Sequence, residues 1–167
     1  VTDSLPALAL GVEPGEPGTM DSPPRDPAEG IFWSGSRRQI IFFGLLIALI
    51  TLISFRAGAA ESLAKGRTLA FATLSLSQLI HVFNYRSFKI SIFRRGPAGN
   101  RSLILSVLVS AAAQLAVLLA PLLMDLFGTE PLSTADSLTV SGLILVPLAG
   151  GELWKLFAKN KSYRERG

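Results

Sequence analysis

Long apolar runs separated by short polar connections dominate this sequence. Four runs carry no charged residue, and their lengths are near the roughly 20 residues that a helix needs to cross a bilayer. They are residues 39–55, 68–85, 102–124 and 137–151. A shorter apolar stretch, residues 1–10, we interpret as the end of a truncated membrane helix. The pattern predicts an all-α membrane protein, a polytopic helix bundle of half a span plus four transmembrane helices.

The polar segments between the runs suggest the domain organisation. Residues 11–38 are rich in proline, which fixes φ and lacks an amide donor, so we expect a cytoplasmic link there. Residues 39–157 would then form a four-helix transmembrane domain, and residues 158–167 a basic cytoplasmic tail. The remaining connections are short, so no soluble domain is expected between the spans.

Composition narrows the class of protein further. The chain is 49% hydrophobic and 17% charged, whereas soluble domains contain about 25% charged residues. An ordinary soluble globule is excluded, and so is a disordered chain. The absence of cysteine excludes a disulfide framework and a thiolate metal site. The net charge of +4 does not indicate nucleic acid, because the basic residues flank the apolar runs; the expected partner is the lipid bilayer.

The basic residues also predict an orientation. Thirteen of the 16 Lys and Arg residues lie in residues 11–38, in residues 84–101 or from Lys155 onward, and the two alternating connections hold the other three. Lysine and arginine accumulate in cytoplasmic loops. The asymmetry therefore predicts a multi-pass protein with a cytoplasmic C-terminus.

Asp3 is the strongest candidate for a chemical role. From Asp3 to Gly11 a helix rises roughly 12 Å, and the bilayer midplane lies about 15 Å below the surface of the hydrocarbon core. An unpaired carboxylate at that depth is costly, so Asp3 would face the protein interior and meet a cation or a proton. Pro6 would free the carbonyl of Thr2, which leaves several hard oxygens for a calcium-like ion. The alternative is that Asp3 meets water at a truncated end.

A second candidate for a chemical role lies in the apolar run of residues 68–85. Ser75, Gln78, His81 and Tyr85 recur at helical spacing and predict one polar stripe on an apolar helix. Such stripes turn toward neighbouring helices. Two interpretations of Gln78 stay open, an interhelical hydrogen bond or a carbonyl oxygen offered to an ion.

Other polar residues are interpreted as structural. His81 has no partner at metal-ligand spacing and is expected to be a hydrogen-bonded residue. Glu152 and Lys155, three residues apart near the end of the last span, predict an ion pair that serves as an anchor. The sequence contains no glycine-rich phosphate loop and no nucleophile–base pair.

Several motifs resemble those of type II P-type ATPases, the calcium-pump group. The run Val-Thr-Asp-Ser-Leu-Pro-Ala-Leu-Ala-Leu-Gly of residues 1–11 is similar to their sixth transmembrane segment. The likeness continues through Pro23-Pro24-Arg25 in the following loop, residues 67–87 in the eighth segment, residues 100–136 in the ninth segment and its outer loop, and Glu152 with Lys155 at the end of the tenth.

This resemblance implies the C-terminal membrane portion of an ATP-driven cation pump that moves Ca²⁺ out of the cytosol, in a bacterial plasma membrane. Thr2 and Asp3 match ion-coordinating residues of the family, and Gln78 is a further candidate ligand. The phosphorylated aspartate and the domains that bind ATP and Mg²⁺ would belong to the N-terminal portion of the parent pump. This chain alone should therefore be inactive.

Two alternatives remain open. The chain could be a non-catalytic polytopic membrane module. The parent could also pump Mn²⁺ or a monovalent cation, because hard oxygen ligands do not distinguish these ions by sequence.

Overall fold

The computed structural model describes residues 4–15, 34–87, 91–95 and 99–164. All regular secondary structure in these residues is helical, which confirms the all-α prediction. The elements are α1 (Ser4–Gly11), α2 (Ser34–Ala59), α3 (Leu63–His81), a 3₁₀ helix (Val82–Arg86), α4 (Ile92–Arg95), α5 (Arg101–Leu119), α6 (Pro121–Phe127) and α7 (Thr134–Arg164).

Three of the described helices are long and apolar enough to cross a membrane: Ser36–Ala59 in α2, Arg101–Leu119 which is α5, and Thr134–Leu156 in α7. The chain is therefore an integral, multi-pass helix bundle. The remaining predicted span corresponds to α3, which is more polar and packs against α2, α5 and α7. Whether α3 also crosses the bilayer stays a prediction.

Two glycines bring α2 and α3 into backbone contact where the helices meet. A Cβ atom on Gly58 would lie 2.8 Å from the carbonyl oxygen of Lys65, and one on Gly66 would lie 2.9 Å from that of Phe55. Both distances are shorter than real Cβ contacts, so only glycine permits this approach. Small residues at such crossings are the usual basis of tight helix packing in membranes.

Hydroxyl groups join the same two helices nearer the middle of α2. Ser54 Oγ donates a hydrogen bond to the carbonyl oxygen of Leu69 at 3.0 Å, and Thr73 Oγ1 donates to Ser54 Oγ at 2.6 Å. Ser54 and Thr73 are fully buried. Because these two hydroxyl groups are hydrogen-bonded within the pair of helices, the bonds offset the cost of removing them from water.

The apolar run of residues 102–124 contains its predicted span in α5, and the rest of the run belongs to a second helix, α6. Helix α5 ends at Leu119, Ala120 is extended (φ −85°, ψ 118°), and α6 begins at Pro121. The ring of a proline disfavours helical geometry in the residue before it, but proline is well suited to the first turn of a new helix. Helix α6 ends at Phe127 and is capped by Gly128, which adopts a left-handed conformation (φ 63°).

Helices α2 and α7 extend past their apolar runs. Helix α2 begins at Ser34, inside the predicted link of residues 11–38, and α7 continues to Arg164, inside the predicted tail. Arg37 and Arg38 in the first turns of α2 are exposed. A helix can continue for one or more polar turns beyond the hydrocarbon core. The ends of a helix therefore need not coincide with the ends of its apolar run.

A clamp of polar side chains holds the loop of residues 128–133 against the start of α3. Ser62 caps α3 by accepting from the amide of Lys65, and its hydroxyl donates to the Glu130 carboxylate at 3.0 Å. Thr68 Oγ1 accepts from the amide of Glu130 at 2.9 Å. Lys65 Nζ forms an ion pair with Asp136 at 2.9 Å. The hydrogen bond to the Asp136 carboxylate raises the pKa of Lys65, although burial acts to lower it.

The connections thus fall into two groups at opposite ends of the bundle. The α2–α3 connection and the loop before α7 meet at the clamp. The segment after α1, the α3–α5 connection and the part of α7 around Glu152 meet at the other end. These are the same two groups that the lysine and arginine counts separated.

Candidate ion-binding cleft

Thr2 and Asp3, the predicted ion ligands, lie outside the described residues. The description of this helix begins at Ser4. Within α1, Pro6 and Ala9 are buried, and Ala9 packs against Val82 and Leu103. The helix is therefore held in the bundle on the side that carries Pro6 and Ala9, whereas Leu8 is 72% exposed.

A cleft of about 330 Å³ separates α1 from α3. Its wall on α1 consists of Pro6, Ala7 and Leu10, and Ile47 contributes from α2. The polar part of its lining comes from α3 and the 3₁₀ helix, at Gln78, His81 and Tyr85. Three of the four residues of the predicted polar stripe therefore share one cavity. The fourth, Ser75, is buried and donates its hydroxyl to the carbonyl of Phe71 within its own helix.

Gln78 is the predicted site residue that the structure does describe. Its side chain is partly buried and lines the cleft opposite Pro6 and Ala7. Within the described part of the chain, its amide group makes no hydrogen bond. The predicted interhelical hydrogen bond is thus not found among these residues.

His81 has the structural role that was expected of it. The amide nitrogen of Asn84 lies 2.9 Å from His81 Nδ1 and also donates to the carbonyl oxygen of Pro147 at 3.0 Å. Asn84 approaches α7 this closely because Gly151 has no side chain; a Cβ there would lie 2.3 Å from the Asn84 amide. His81 Nε2 and Asn84 Oδ1 are buried with no partner among the described residues. Both residues line a cavity of about 10 Å³, close to the size of one water molecule.

A second polar cluster surrounds the carboxyl end of α1. Arg86 Nη2 lies 3.0 Å from Glu13 Oε1, and Arg86 Nε donates to the same carboxylate at 3.1 Å. Asn100 Nδ2 donates to Glu13 Oε2 at 2.6 Å and to the carbonyl oxygen of Ala9 at 2.9 Å. The side chain of Arg86 is 2% exposed and that of Glu13 is 11% exposed. Removing one partner of such a buried pair would leave an uncompensated charge.

The predicted pair of Glu152 and Lys155 is present. Lys155 Nζ lies 3.0 Å from Glu152 Oε1, and Glu152 also accepts from the backbone amide of Ile92 at 3.1 Å. The lysine side chain is only 7% exposed. Glu152 therefore links α7 to α4 through the Ile92 amide, which agrees with the structural interpretation.

Sequence reasoning did not identify Glu13, Arg86 and Asn100 as a unit. Asn100 carries a local signal, since asparagine is a preferred helix cap and its Oδ1 accepts from the amide of Leu103 at the start of α5. The pairing of Glu13 with Arg86 has no local signal, because 73 positions separate the two residues.

Comparison with known proteins agrees with this architecture. The family model described as "Cation transporting ATPase, C-terminus" matches residues 1–157. The chain belongs to this family. It is thus part of the C-terminal membrane region of a type II P-type ATPase.

Three relatives illustrate the range of the family. The chain is 39% identical to calcium-transporting ATPase 1 of Bacillus cereus over 96% of its length, and 40% identical to the calcium-transporting ATPase of Bacillus subtilis over 92%. It is 33% identical to calcium-transporting ATPase type 2C member 2 of Rattus norvegicus over 95%. It spans only 20%, 18% and 17% of these relatives, respectively.

Proposed function

We propose that this ATPase region belongs to a pump that uses ATP to move Ca²⁺ out of the cytosol, and that Thr2, Asp3 and Gln78 supply oxygen ligands to the transported ion. The observation that carries the proposal is the cleft in which Gln78 faces Pro6 and Ala7 of α1. Pro6 and Ala7 follow Asp3 by three and four residues, the spacing that shares one face of a helix. We therefore expect the side chains of Asp3 and Gln78 to lie at the same cleft.

The chemistry of this donor set fits a hard cation. Calcium binds oxygen ligands and tolerates a mixture of carboxylate, carbonyl and hydroxyl groups. Asp3 would supply the negative charge, while Thr2 and Gln78 would supply neutral oxygens. ATP and Mg²⁺ would bind to parts of the pump outside this sequence, so the chain alone is expected to be inactive. The names of the relatives, which are calcium-transporting ATPases, favour Ca²⁺ over Mn²⁺ or a monovalent ion.

Transport by the full-length protein tests the proposal. The protein containing this sequence is expressed in a bacterial host and assayed in everted membrane vesicles for ATP-dependent ⁴⁵Ca uptake. We expect uptake that requires ATP and Mg²⁺ and is released by a calcium ionophore. Uptake of Mn²⁺ or a monovalent ion without Ca²⁺ uptake would overturn the choice of ion, and absence of any ATP-dependent transport would favour a non-catalytic membrane module.

The charge distribution leads to a separate expectation about topology. Residues 11–38, residues 84–101 and the C-terminal tail should face the cytoplasm of a bacterial plasma membrane, because they carry thirteen of the 16 basic residues. We expect Ser91→Cys, in a background without other cysteines, to be protected from an impermeant thiol reagent in intact cells and labelled in everted vesicles. Thr129→Cys, in the outer loop, should show the opposite pattern. Labelling of residue 91 from outside would contradict this topology.

A further inference from the structure

The carboxyl end of α1 is tied to two separate elements by its backbone and by a side chain. Asn100, which caps α5, donates to the Ala9 carbonyl and to the Glu13 carboxylate. Arg86, the last residue of the 3₁₀ helix, donates to Glu13 through both Nε and Nη2. The turn that follows α1 is closed by the Glu13 amide, which donates to the carbonyl of Leu10 at 3.1 Å. Glu13 is therefore hydrogen-bonded to the last turn of α1.

The two anchoring groups are themselves fixed. The side chain of Arg86 is 2% exposed, and Asn100 is 5% exposed. A guanidinium group that meets a carboxylate through two nitrogens fixes both distance and orientation. The side-chain oxygen of Asn100 accepts a hydrogen bond from α5, and its nitrogen donates one to α1. Sliding of α1 along its axis relative to α5 would therefore break one of these bonds. The contacts restrict both sliding and rotation of α1.

We propose that Glu13, Arg86 and Asn100 are positioning residues for the transported ion, because they set the axial position of α1, which follows Thr2 and Asp3 directly in the sequence. This rests on the proposed role of Asp3. Asp3 precedes Glu13 by ten positions in the sequence, so none of the three is expected to touch the ion. A shift of α1 would displace the residues that immediately precede it, and ion ligands tolerate displacements of only about 0.5 Å.

The bundle contains a matched pair for comparison. Lys65 and Asp136 form an ion pair of 2.9 Å whose side chains are 6% and 15% exposed, similar to Arg86 and Glu13. This pair joins α3 to α7 and does not contact α1. Breaking it should affect stability without changing the position of α1.

The experiment measures Ca²⁺-dependent phosphorylation by ATP of the purified full-length pump. Asn100→Ser keeps a capping oxygen for α5 but loses the amide donors to Ala9 and Glu13. Arg86→Lys keeps the charge but loses the forked geometry. For both we expect the Ca²⁺ concentration at half-maximal phosphorylation to rise roughly 10- to 100-fold, as for residues that support metal ligands. The maximal level at saturating Ca²⁺ should remain near that of the wild type.

The controls distinguish positioning from general damage. Lys65→Met and Asp136→Asn should lower the yield or the melting temperature while the half-maximal Ca²⁺ concentration stays within about twofold, well below the effect expected for supporting residues. Unchanged Ca²⁺ dependence in Asn100→Ser and Arg86→Lys would overturn the positioning role but leave the proposed pump intact. An equal shift in the Lys65 and Asp136 variants would also overturn it. If Arg86→Lys fails to fold, the Ca²⁺ dependence of Asn100→Ser alone tests the positioning role. A wild-type protein without Ca²⁺-dependent phosphorylation would overturn both this proposal and the proposed pump.

Discussion

Replacement of Asp3 by asparagine is expected to abolish Ca²⁺-dependent phosphorylation of the full-length pump at micromolar Ca²⁺. The substitution keeps the shape of the side chain but removes the charge that would neutralise part of a divalent ion at low dielectric. Leaving a buried charge without its partner costs about 3–5 kcal/mol, which is more than about a hundredfold in affinity. The measurement is phosphoenzyme formation from radiolabelled ATP over a range of Ca²⁺ concentrations.

Two further variants calibrate this result. Asp125→Asn makes the same chemical change at an exposed residue of α6 and should leave the Ca²⁺ dependence unchanged. Gln78→Leu removes a neutral oxygen from the cleft and should weaken Ca²⁺ less than Asp3→Asn, because no charge is lost. Near-normal Ca²⁺ affinity in Asp3→Asn would end the assignment of Asp3 as a ligand.

Replacement of Gly66 by leucine is expected to prevent correct packing of α2 against α3. Even the first carbon of a side chain would lie 2.9 Å from the Phe55 carbonyl oxygen and 3.0 Å from Ala59, and a backbone oxygen cannot swing aside. Overpacking of this kind costs about 1–3 kcal/mol or more, roughly a 5- to 150-fold change in the folding equilibrium. We expect a lower thermal unfolding midpoint and a smaller fraction of the protein in a monodisperse peak in size-exclusion chromatography.

Gly44→Leu is the matched control, since Gly44 lies on α2 and is exposed on the bundle surface, where a Cβ atom would meet no heavy atom within 4 Å. The same side chain added there should be tolerated in a lipid-facing helix. If Gly66→Leu matched Gly44→Leu in midpoint and yield, the close approach of α2 and α3 would not be needed for assembly.

One wall of the candidate cleft could be predicted from the local spacing of residues, and the other could not. The spacing of Gln78, His81 and Tyr85 predicted one polar face, and the structure confirms that these three residues line one cavity. The same spacing could not indicate what lies opposite, because Pro6 and Ala7 are some 70 positions away in the sequence. Only the tertiary structure, which places α1 across a cleft from α3, makes Gln78 and the neighbourhood of Asp3 candidates for one site.

The sequence by itself determined the helical membrane class, the family and the grouping of the connections, because uncharged runs and flanking basic residues act through the bilayer and need no tertiary partner. Tertiary structure alone decided the contacts that hold the helices in place. Gly58 and Gly66 matter only because the backbones of α2 and α3 approach there. Glu13 gains its role from Arg86 and Asn100, since a buried carboxylate requires donors that folding must bring from distant positions.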